Sequence, residues 1–174
     1  MIGNKFQKGI KAEKAVMDKL SWKIGRKIIR HTNYDEDGNE SWQCVVVNGK
    51  EFISPDLEIY EMMDDDNIKM RIEVKSFTDF PSNVPFKTKS NILIVSQKQF
   101  KKYLKLQNEE EVPIFIVFAV EDGFGSYYFF WASLNDMTNN FLRKEGLYTW
   151  SFDKKTEACY FFRAQDFYTD LENL

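Results

Sequence analysis

Two segments of the sequence place charged side chains at alternating positions between large apolar residues. Asp56 and Glu58 lie in the first segment, and Glu73 and Lys75 lie in the second, which begins after an acidic turn at 64–67. Because side chains two positions apart on a strand share a face, each pair is predicted to point in one direction. Antiparallel pairing across the turn would then bring Asp56 close to Glu73.

Two neighbouring carboxylates repel each other, and each raises the pKa of the other unless a cation lies between them. Oxygen ligands without a nearby histidine or cysteine suit Mg²⁺ or Mn²⁺. On the same face, Lys75 could hold or deprotonate an attacking water and offset charge on a phosphate. The pattern therefore favours metal-assisted hydrolysis of a phosphodiester. The structural alternative is an exposed strand face of alternating charge.

A glutamate also interrupts the apolar stripe of the first predicted helix, at 5–21. Glu13 falls in the middle of the arc formed by Phe6, Ile10, Met17 and Leu20. It is either part of a site or a structural charge at the edge of the stripe. In the second case we expect an ion pair with one of the nearby cations, Lys11, Lys14 or Arg26.

The remaining periodicities predict a mixed α/β fold of the α+β type, with helices flanking a mixed sheet. Asn48-Gly49 predicts a tight hairpin turn, and Ser96 predicts the N-cap of a second helix at 97–107. The apolar run at 91–95 is typical of a strand buried on both faces. The other predicted strands are 43–48, 51–60, 68–77, 113–120, 126–132, 147–152 and 158–163, followed by a final helical turn.

Pro55-Asp56, followed by Glu73-Val74-Lys75, resembles the motif of the PD-(D/E)XK nuclease superfamily, which includes restriction endonucleases, Holliday-junction resolvases and recombination exonucleases. The resemblance implies a restriction-endonuclease-like core of order α-β-β-β-α-β over about 5–120. A C-terminal aromatic β extension over about 121–174 would lie outside that core. We expect one nuclease-like domain over 1–174.

The resemblance also assigns roles to residues. Asp56 and Glu73 would bind Mg²⁺ or Mn²⁺, together with the backbone carbonyl of Val74. Lys75 would be the catalytic lysine. Glu13 and Gln99 would orient the substrate or a second metal ion.

The second predicted helix adds two features. Gln99 and Tyr103 are similar to the Gln-x-x-x-Tyr motif of the recombination-exonuclease branch, and their spacing places both on a helix face near Lys75. Lysines on the outer side form a basic stripe suited to phosphates, and Tyr103 is included in this predicted DNA-binding set. The alternative for the stripe is an ordinary solvated helix face. The stripe consists of Lys98, Lys101, Lys102 and Lys105.

Counting excludes several other classes. His31 is the only histidine, so histidine-based metal nucleases and Ser-His-Asp hydrolases are excluded, and no Gly-rich phosphate loop is present. Cys44 and Cys159 fit no ligand spacing, so we expect no iron–sulfur cluster. We predict that His31 and the basic residues before it lie on the surface. The acidic segment 35–40 lacks a full calcium-ligand pattern and predicts an acidic loop.

The formal net charge is −3, which favours a local basic cleft over a uniformly basic surface. No segment is apolar for long enough to suggest a leader or membrane helix, so we expect a cytoplasmic protein. The expected partner is DNA in duplex, branched or single-stranded form, in recombination or repair. The alternative is an inactive module of the same fold that binds nucleic acid or protein.

The last fifty residues are rich in aromatic side chains. We expect most of them to form core and not a base-stacking platform, although an exposed subset would favour a homodimer. The rings concerned are Tyr127, Tyr128, Phe129, Phe130, Trp131, Tyr148, Trp150, Tyr160, Phe161 and Phe162.

Overall fold

The computed structural model describes the greater part of the chain, in several stretches separated by short gaps. These stretches are 3–21, 26–31, 33–34, 40–41, 44–61, 67–80, 91–142, 144–149 and 155–174. The predicted acidic turn and acidic loop fall largely outside the described residues, as does Trp150. No helix among the described residues is long and apolar enough to cross a membrane.

Two long helices and several strands make up the fold. The helices are α1 (Gly3–Ser21), α2 (Gln97–Glu110) and a short α3 (Leu134–Asp136), which continues as a π-helical turn at Met137–Phe141. The strands are β1 (Arg26–Arg30), β2 (Asn33–Tyr34), β3 (Glu40–Ser41), β4 (Cys44–Val47), β5 (Lys50–Ile53), β6 (Leu57–Glu61), β7 (Ile68–Phe77), β8 (Ile92–Ser96), β9 (Ile114–Glu121), β10 (Tyr127–Ser133), β11 (Lys144–Thr149) and β12 (Thr156–Arg163). Short 3₁₀ turns follow at Ala164–Asp166 and Leu171–Asn173.

The central sheet, as far as it is described, has the strand order β1-β6-β7-β9-β10. All neighbouring strands are antiparallel except β7 and β9, which are parallel and are connected through α2. A parallel pair needs such a crossover, and a helix commonly supplies it. Read in chain order, α1, β1, β6, β7, α2 and β9 give the predicted sequence α-β-β-β-α-β.

The two long helices pack on opposite faces of this sheet. On one face, Val16 and Leu20 of α1 are fully buried against Leu57, Ile59 and Ile72. On the other, α2 is buried against β9 through a set of apolar and aromatic side chains, Phe100, Tyr103, Leu106, Ile114, Ile116 and Phe118. Leu57, Ile59 and Ile72 alternate along their strands with the charged residues and point away from them, toward α1.

The predicted strand at 43–48 is confirmed, but one strand of the central sheet was missed and another prediction joined two strands. The predicted strand at 43–48 is β4, but it forms a separate hairpin with β5, and the first strand of the sheet is β1, whose charged residues obscured it. The predicted strand at 51–60 is interrupted at 54–56, where Pro55 has no N–H to give to a ladder. The predicted turn is confirmed, because Asn48 and Gly49 have φ of 51° and 76°, as a tight hairpin turn requires.

The predicted C-terminal extension contributes to the core and is not an appendage. β10 completes one edge of the central sheet, and β12 lies between β11 and β8 in a second sheet. Strand β8 is buried at Ile92–Val95, as predicted, although it pairs with β12 and not with the central sheet. Trp131, Tyr160, Phe161 and Phe162 are buried, which confirms the core interpretation for these rings, whereas Tyr128 is 62% exposed.

Candidate active site

The strand register places Asp56 opposite Glu73. Leu57 pairs with Ile72 and Glu58 with Arg71, so continuing the β6–β7 register by one residue brings Asp56 across from Glu73. Oδ2 of Asp56 accepts a hydrogen bond of 2.7 Å from the backbone N–H of Val74. Burial, Glu73 and Glu13 together raise the pKa of Asp56 well above its ordinary value, and Lys75 and the Val74 N–H only partly offset them.

Lys75 lies on the same face and contacts Glu73 directly. Its Nζ is 2.5 Å from Oε1 of Glu73, in an ion pair where the lysine side chain is 21% exposed and the glutamate side chain 4%. The predicted proximity of Asp56, Glu73 and Lys75 is therefore present in the structure. Of these three residues, Glu73 is buried, whereas Asp56 and Lys75 are partly exposed.

Helix α2 supplies two further contacts to Glu73. Nε2 of Gln99 donates to Oε1 at 2.8 Å, and the hydroxyl of Tyr103 donates to Oε2 at 2.5 Å. Gln99 also donates to the Tyr103 hydroxyl at 3.1 Å, as their spacing of four residues allows. Burial and the carboxylates of Glu73 and Asp56 raise the pKa of Tyr103, so its hydroxyl stays protonated.

Tyr103 differs in position from the lysines with which it was grouped. Its side chain is 1% exposed and faces Glu73, so it presents no surface to a bound strand. Lys98, Lys101, Lys102 and Lys105 are all exposed, on the outer side of α2, as predicted. The basic stripe is thus accessible, whereas Tyr103 belongs with the carboxylates.

Glu13 is buried, as its place on the apolar stripe indicated, and it reaches the site through its charge. It forms an ion pair with Arg30, with 2.6 Å between Nε and Oε2, and not with the cations expected from the sequence, Lys11, Lys14 or Arg26. Arg30 lies at the end of β1, a strand that was not predicted, so this partner could not be anticipated. Glu13 is close enough to Asp56 to raise the pKa of that carboxyl.

The structure of this chain, and not its sequence, matches a known protein. No protein-family model matches the sequence, and no curated protein matches it significantly. Its structure is similar to that of a Holliday junction resolvase from the archaeal hyperthermophile Archaeoglobus fulgidus, with a TM-score of 0.51 and 12% identity. The match covers 95% of this chain and 94% of the resolvase chain. The chain has the restriction-endonuclease-like fold. The predicted fold class and the resemblance to PD-(D/E)XK nucleases are confirmed at the level of the fold.

Asp56 and Glu73 are the candidate ligands for a divalent metal ion in this fold. Among the residues described, no group of three or more His, Cys, Asp and Glu side chains is arranged to bind a metal. Asp56 and Glu73 provide two carboxylates, and Mg²⁺ usually takes one or two carboxylates and keeps several waters. Burial and the carboxylates of Glu73 and Glu13 disfavour the charge of Asp56, as its raised pKa indicates, and a bound cation would offset them. A hard divalent cation therefore fits these residues.

A second cluster of charges lies next to the site and was not predicted. Arg71 is 1% exposed, and its guanidinium binds Glu110 of α2 in a fork at 2.8 and 2.7 Å. It also bonds to Glu58 and, at 3.2 Å, to the hydroxyl of Ser54. Glu58 in turn lies 2.6 Å from Nε2 of His31 and accepts from the Tyr60 hydroxyl at 2.8 Å.

This network settles the position of His31, whose side chain is 15% exposed, so the predicted surface location is wrong. Burial alone would raise the pKa of Glu58, but His31, Arg71 and Tyr60 outweigh it and lower that pKa. Burial, and then the neighbouring anionic Glu58, raise the pKa of Tyr60 to about 12. The signal for the network was in the sequence, because the register that pairs Asp56 with Glu73 also pairs Glu58 with Arg71.

Replacing Arg71 with methionine is expected to destabilise the protein by about 3–5 kcal/mol, because the buried Glu58 would lose its main cation. The measurement is the free energy of unfolding in urea. Lys50→Met is the matched control, because it removes an exposed ion pair between Lys50 and Glu109 and should cost far less. Equal losses in the two variants would contradict the structural role of Arg71.

Proposed function

We propose that this chain is a divalent-metal-dependent nuclease that hydrolyses DNA phosphodiester bonds. Asp56, Glu73 and the backbone carbonyl of Val74 hold Mg²⁺ or Mn²⁺, and Lys75 serves the attacking water. Glu13 and Gln99 orient the substrate or a second metal ion, and Gln99 also donates to Glu73. The observation that carries the proposal is the meeting of Asp56, Glu73 and Lys75 at one point of a restriction-endonuclease-like fold.

Several residues of the site hold the proposed metal ligands, Asp56 and Glu73, in a fixed orientation. When bound, the metal polarises a phosphate oxygen and lowers the pKa of a coordinated water. Tyr103 and Gln99 fix the orientation of the Glu73 carboxylate through hydrogen bonds to both of its oxygens. The Val74 N–H similarly fixes Asp56. Such preorganisation lowers the barrier because the groups need no rearrangement as the reaction proceeds.

Lys75 acts on the water and on the phosphate. Its ammonium hydrogen bonds to the attacking water and offsets the negative charge that develops on the phosphate oxygens. The water oxygen forms a bond to phosphorus and the bond to the leaving sugar oxygen breaks. The water loses a proton to solvent, and the leaving oxygen takes one up.

The lysine stripe of α2 suits a polyanionic substrate. Lys98, Lys101, Lys102 and Lys105 follow one exposed side of the same helix whose inner side carries Gln99. Backbone contacts of this kind give affinity that depends on salt and not on sequence. Because the structurally similar protein is a Holliday junction resolvase, branched DNA is the first substrate to test. A second copy of the chain is expected if both strands of a junction are cut.

The test is a cleavage assay on labelled four-way junction, linear duplex, single-stranded DNA and RNA, each with Mg²⁺, Mn²⁺ or EDTA. We expect cleavage of at least one DNA substrate with metal and none with EDTA. Glu73→Gln is the control, because it keeps the size of the side chain and removes the charge that holds the metal.

Two outcomes would contradict the proposal. Cleavage that persists in EDTA or in Glu73→Gln would show that another site, or a contaminant, does the chemistry. A folded wild type that cuts no substrate with any metal would favour the alternative of an inactive module, and binding to the same DNA panel would then separate a nucleic-acid-binding module from a protein-binding one.

A further inference from the structure

The hydrogen bonds of Glu73 leave its carboxylate heavily occupied. Oε1 receives both the Lys75 ammonium at 2.5 Å and the Gln99 amide at 2.8 Å, and Oε2 receives the Tyr103 hydroxyl at 2.5 Å. The residue is 3% exposed. A carboxylate has about four lone-pair positions in all, so three donors leave little room for another ligand.

The three donors differ in charge, and this difference decides which of them a metal ion would displace. The Gln99 amide and the Tyr103 hydroxyl are neutral, and they can stay on Glu73 while the carboxylate also binds a cation. The Lys75 ammonium carries a full positive charge. A divalent ion bound by Asp56 and Glu73 would be repelled by an ammonium at ion-pair distance from Glu73.

We propose that Lys75 is the resident counter-cation of Glu73, and that a divalent metal must displace it from that carboxylate in order to bind. The inference rests on the proposed function, because it concerns the metal proposed there. Lys75 then has two positions, one on Glu73 before the metal arrives and one turned toward the water and phosphate afterwards. Its 21% exposure gives the side chain an outlet to solvent.

This inference and a purely supporting role for Lys75 predict opposite changes in metal affinity when Lys75 is replaced. Were Lys75 needed only to support the site, removing it would weaken metal binding or leave it unchanged. As a competing cation, its removal should tighten metal binding even though cleavage is lost. A unit charge about 6 Å from a divalent ion changes the affinity by about tenfold, even with the screening of bulk water.

The experiment measures Mn²⁺ binding to the 174-residue chain by isothermal titration calorimetry, without DNA, at one pH and one ionic strength. We expect Lys75→Met to bind Mn²⁺ about tenfold more tightly than wild type. Lys75→Gln, which keeps a hydrogen-bond donor without the charge, should behave in the same way. Lys102→Met is the matched control, because it removes the same charge from the exposed side of α2 and should leave the affinity unchanged.

The outcomes separate this inference from the proposed function. Mn²⁺ binding that requires Asp56 but is equal or weaker in Lys75→Met and Lys75→Gln would overturn the inference alone. Absence of Mn²⁺ binding to folded wild type and to both variants would overturn the proposed function together with it. If Lys102→Met tightens binding as much as Lys75→Met, net charge accounts for the effect and the inference is wrong.

Discussion

Replacing Lys75 with alanine is expected to reduce metal-dependent cleavage by about 10²–10⁴-fold, the range for loss of a positioned proton-transfer or charge-stabilising group. The physical reason is that no other cation among the described residues contacts Glu73 from the solvent-accessible side. The measurement is the single-turnover rate on the best substrate of the cleavage panel, with saturating metal.

The loss should lie in the chemical step. Because Lys75 opposes metal binding, adding more Mn²⁺ should not restore the rate, whereas it should partly rescue a variant of a metal ligand. Lys98→Ala is the control, since Lys98 is an exposed lysine of the stripe and directly precedes Gln99 in the sequence. We expect it to weaken DNA binding slightly and to leave the saturated rate nearly unchanged. A Lys75→Ala enzyme that keeps the wild-type rate would refute the assigned role.

Replacing Asp56 with asparagine is expected to stabilise the metal-free protein at neutral pH, by an amount that raises the thermal midpoint by roughly 2–4 °C. Burial, together with Glu73 and Glu13, makes the charge of Asp56 unfavourable in the folded state. Asparagine removes the charge and keeps an oxygen that can accept the Val74 N–H. The measurement is thermal unfolding in EDTA by circular dichroism.

The stability of the metal-free wild type should fall as the pH rises, because the pKa of Asp56 is raised in the folded state. Above its ordinary value of 3.8, the Asp56 carboxyl of the unfolded chain loses its proton while the folded protein keeps it. The folded state therefore loses stability as the pH rises from about that value through the raised pKa. The slope of stability against pH should be shallower in Asp56→Asn than in wild type. In wild type, Mn²⁺ should restore the lost stability, and in the variant it should not.

Lower stability of metal-free Asp56→Asn would contradict this prediction. If metal-free Asp56→Asn is less stable than wild type at neutral pH, Lys75 and the Val74 N–H compensate the charge fully, and the physical case for a cation at this site fails. Asp79→Asn is a useful control, because Asp79 is exposed two residues after the end of β7 and its replacement should leave the thermal midpoint nearly unchanged.

The part of the site that could be predicted depends on local geometry. The alternation along β6 and β7 and the short connection between them fix which side chains share a face, so Asp56, Glu73 and Lys75 were placed correctly. The helical spacing of Gln99 and Tyr103 directed both toward the sheet. Each of these inferences needs only a period and a register.

The parts that were missed depend on contacts between distant segments. Nothing near Glu13 in the sequence indicates Arg30 as its partner, because β1 reads as a charged segment and only its pairing with β6 makes it a strand. Likewise, the apolar run of β8 predicts burial but not which sheet receives it. Ser96 was placed correctly at the start of α2, yet its hydroxyl donates to Glu157 at 2.8 Å and does not cap the helix.

The contact between Ser96, which directly precedes α2, and Glu157 accompanies several between α2 and β12, and this packing has a consequence for folding during synthesis. Helix α2, which carries Gln99 and Tyr103, is covered by Tyr160 and Phe162 of β12, and the rings of Phe100 and Tyr160 lie 5.2 Å apart. A ribosome delivers β12 about fifty residues after α2, so a nascent chain holds the carboxylates of β6 and β7 before their helix is fixed in place. The proposed site would thus be completed only after β12 has emerged.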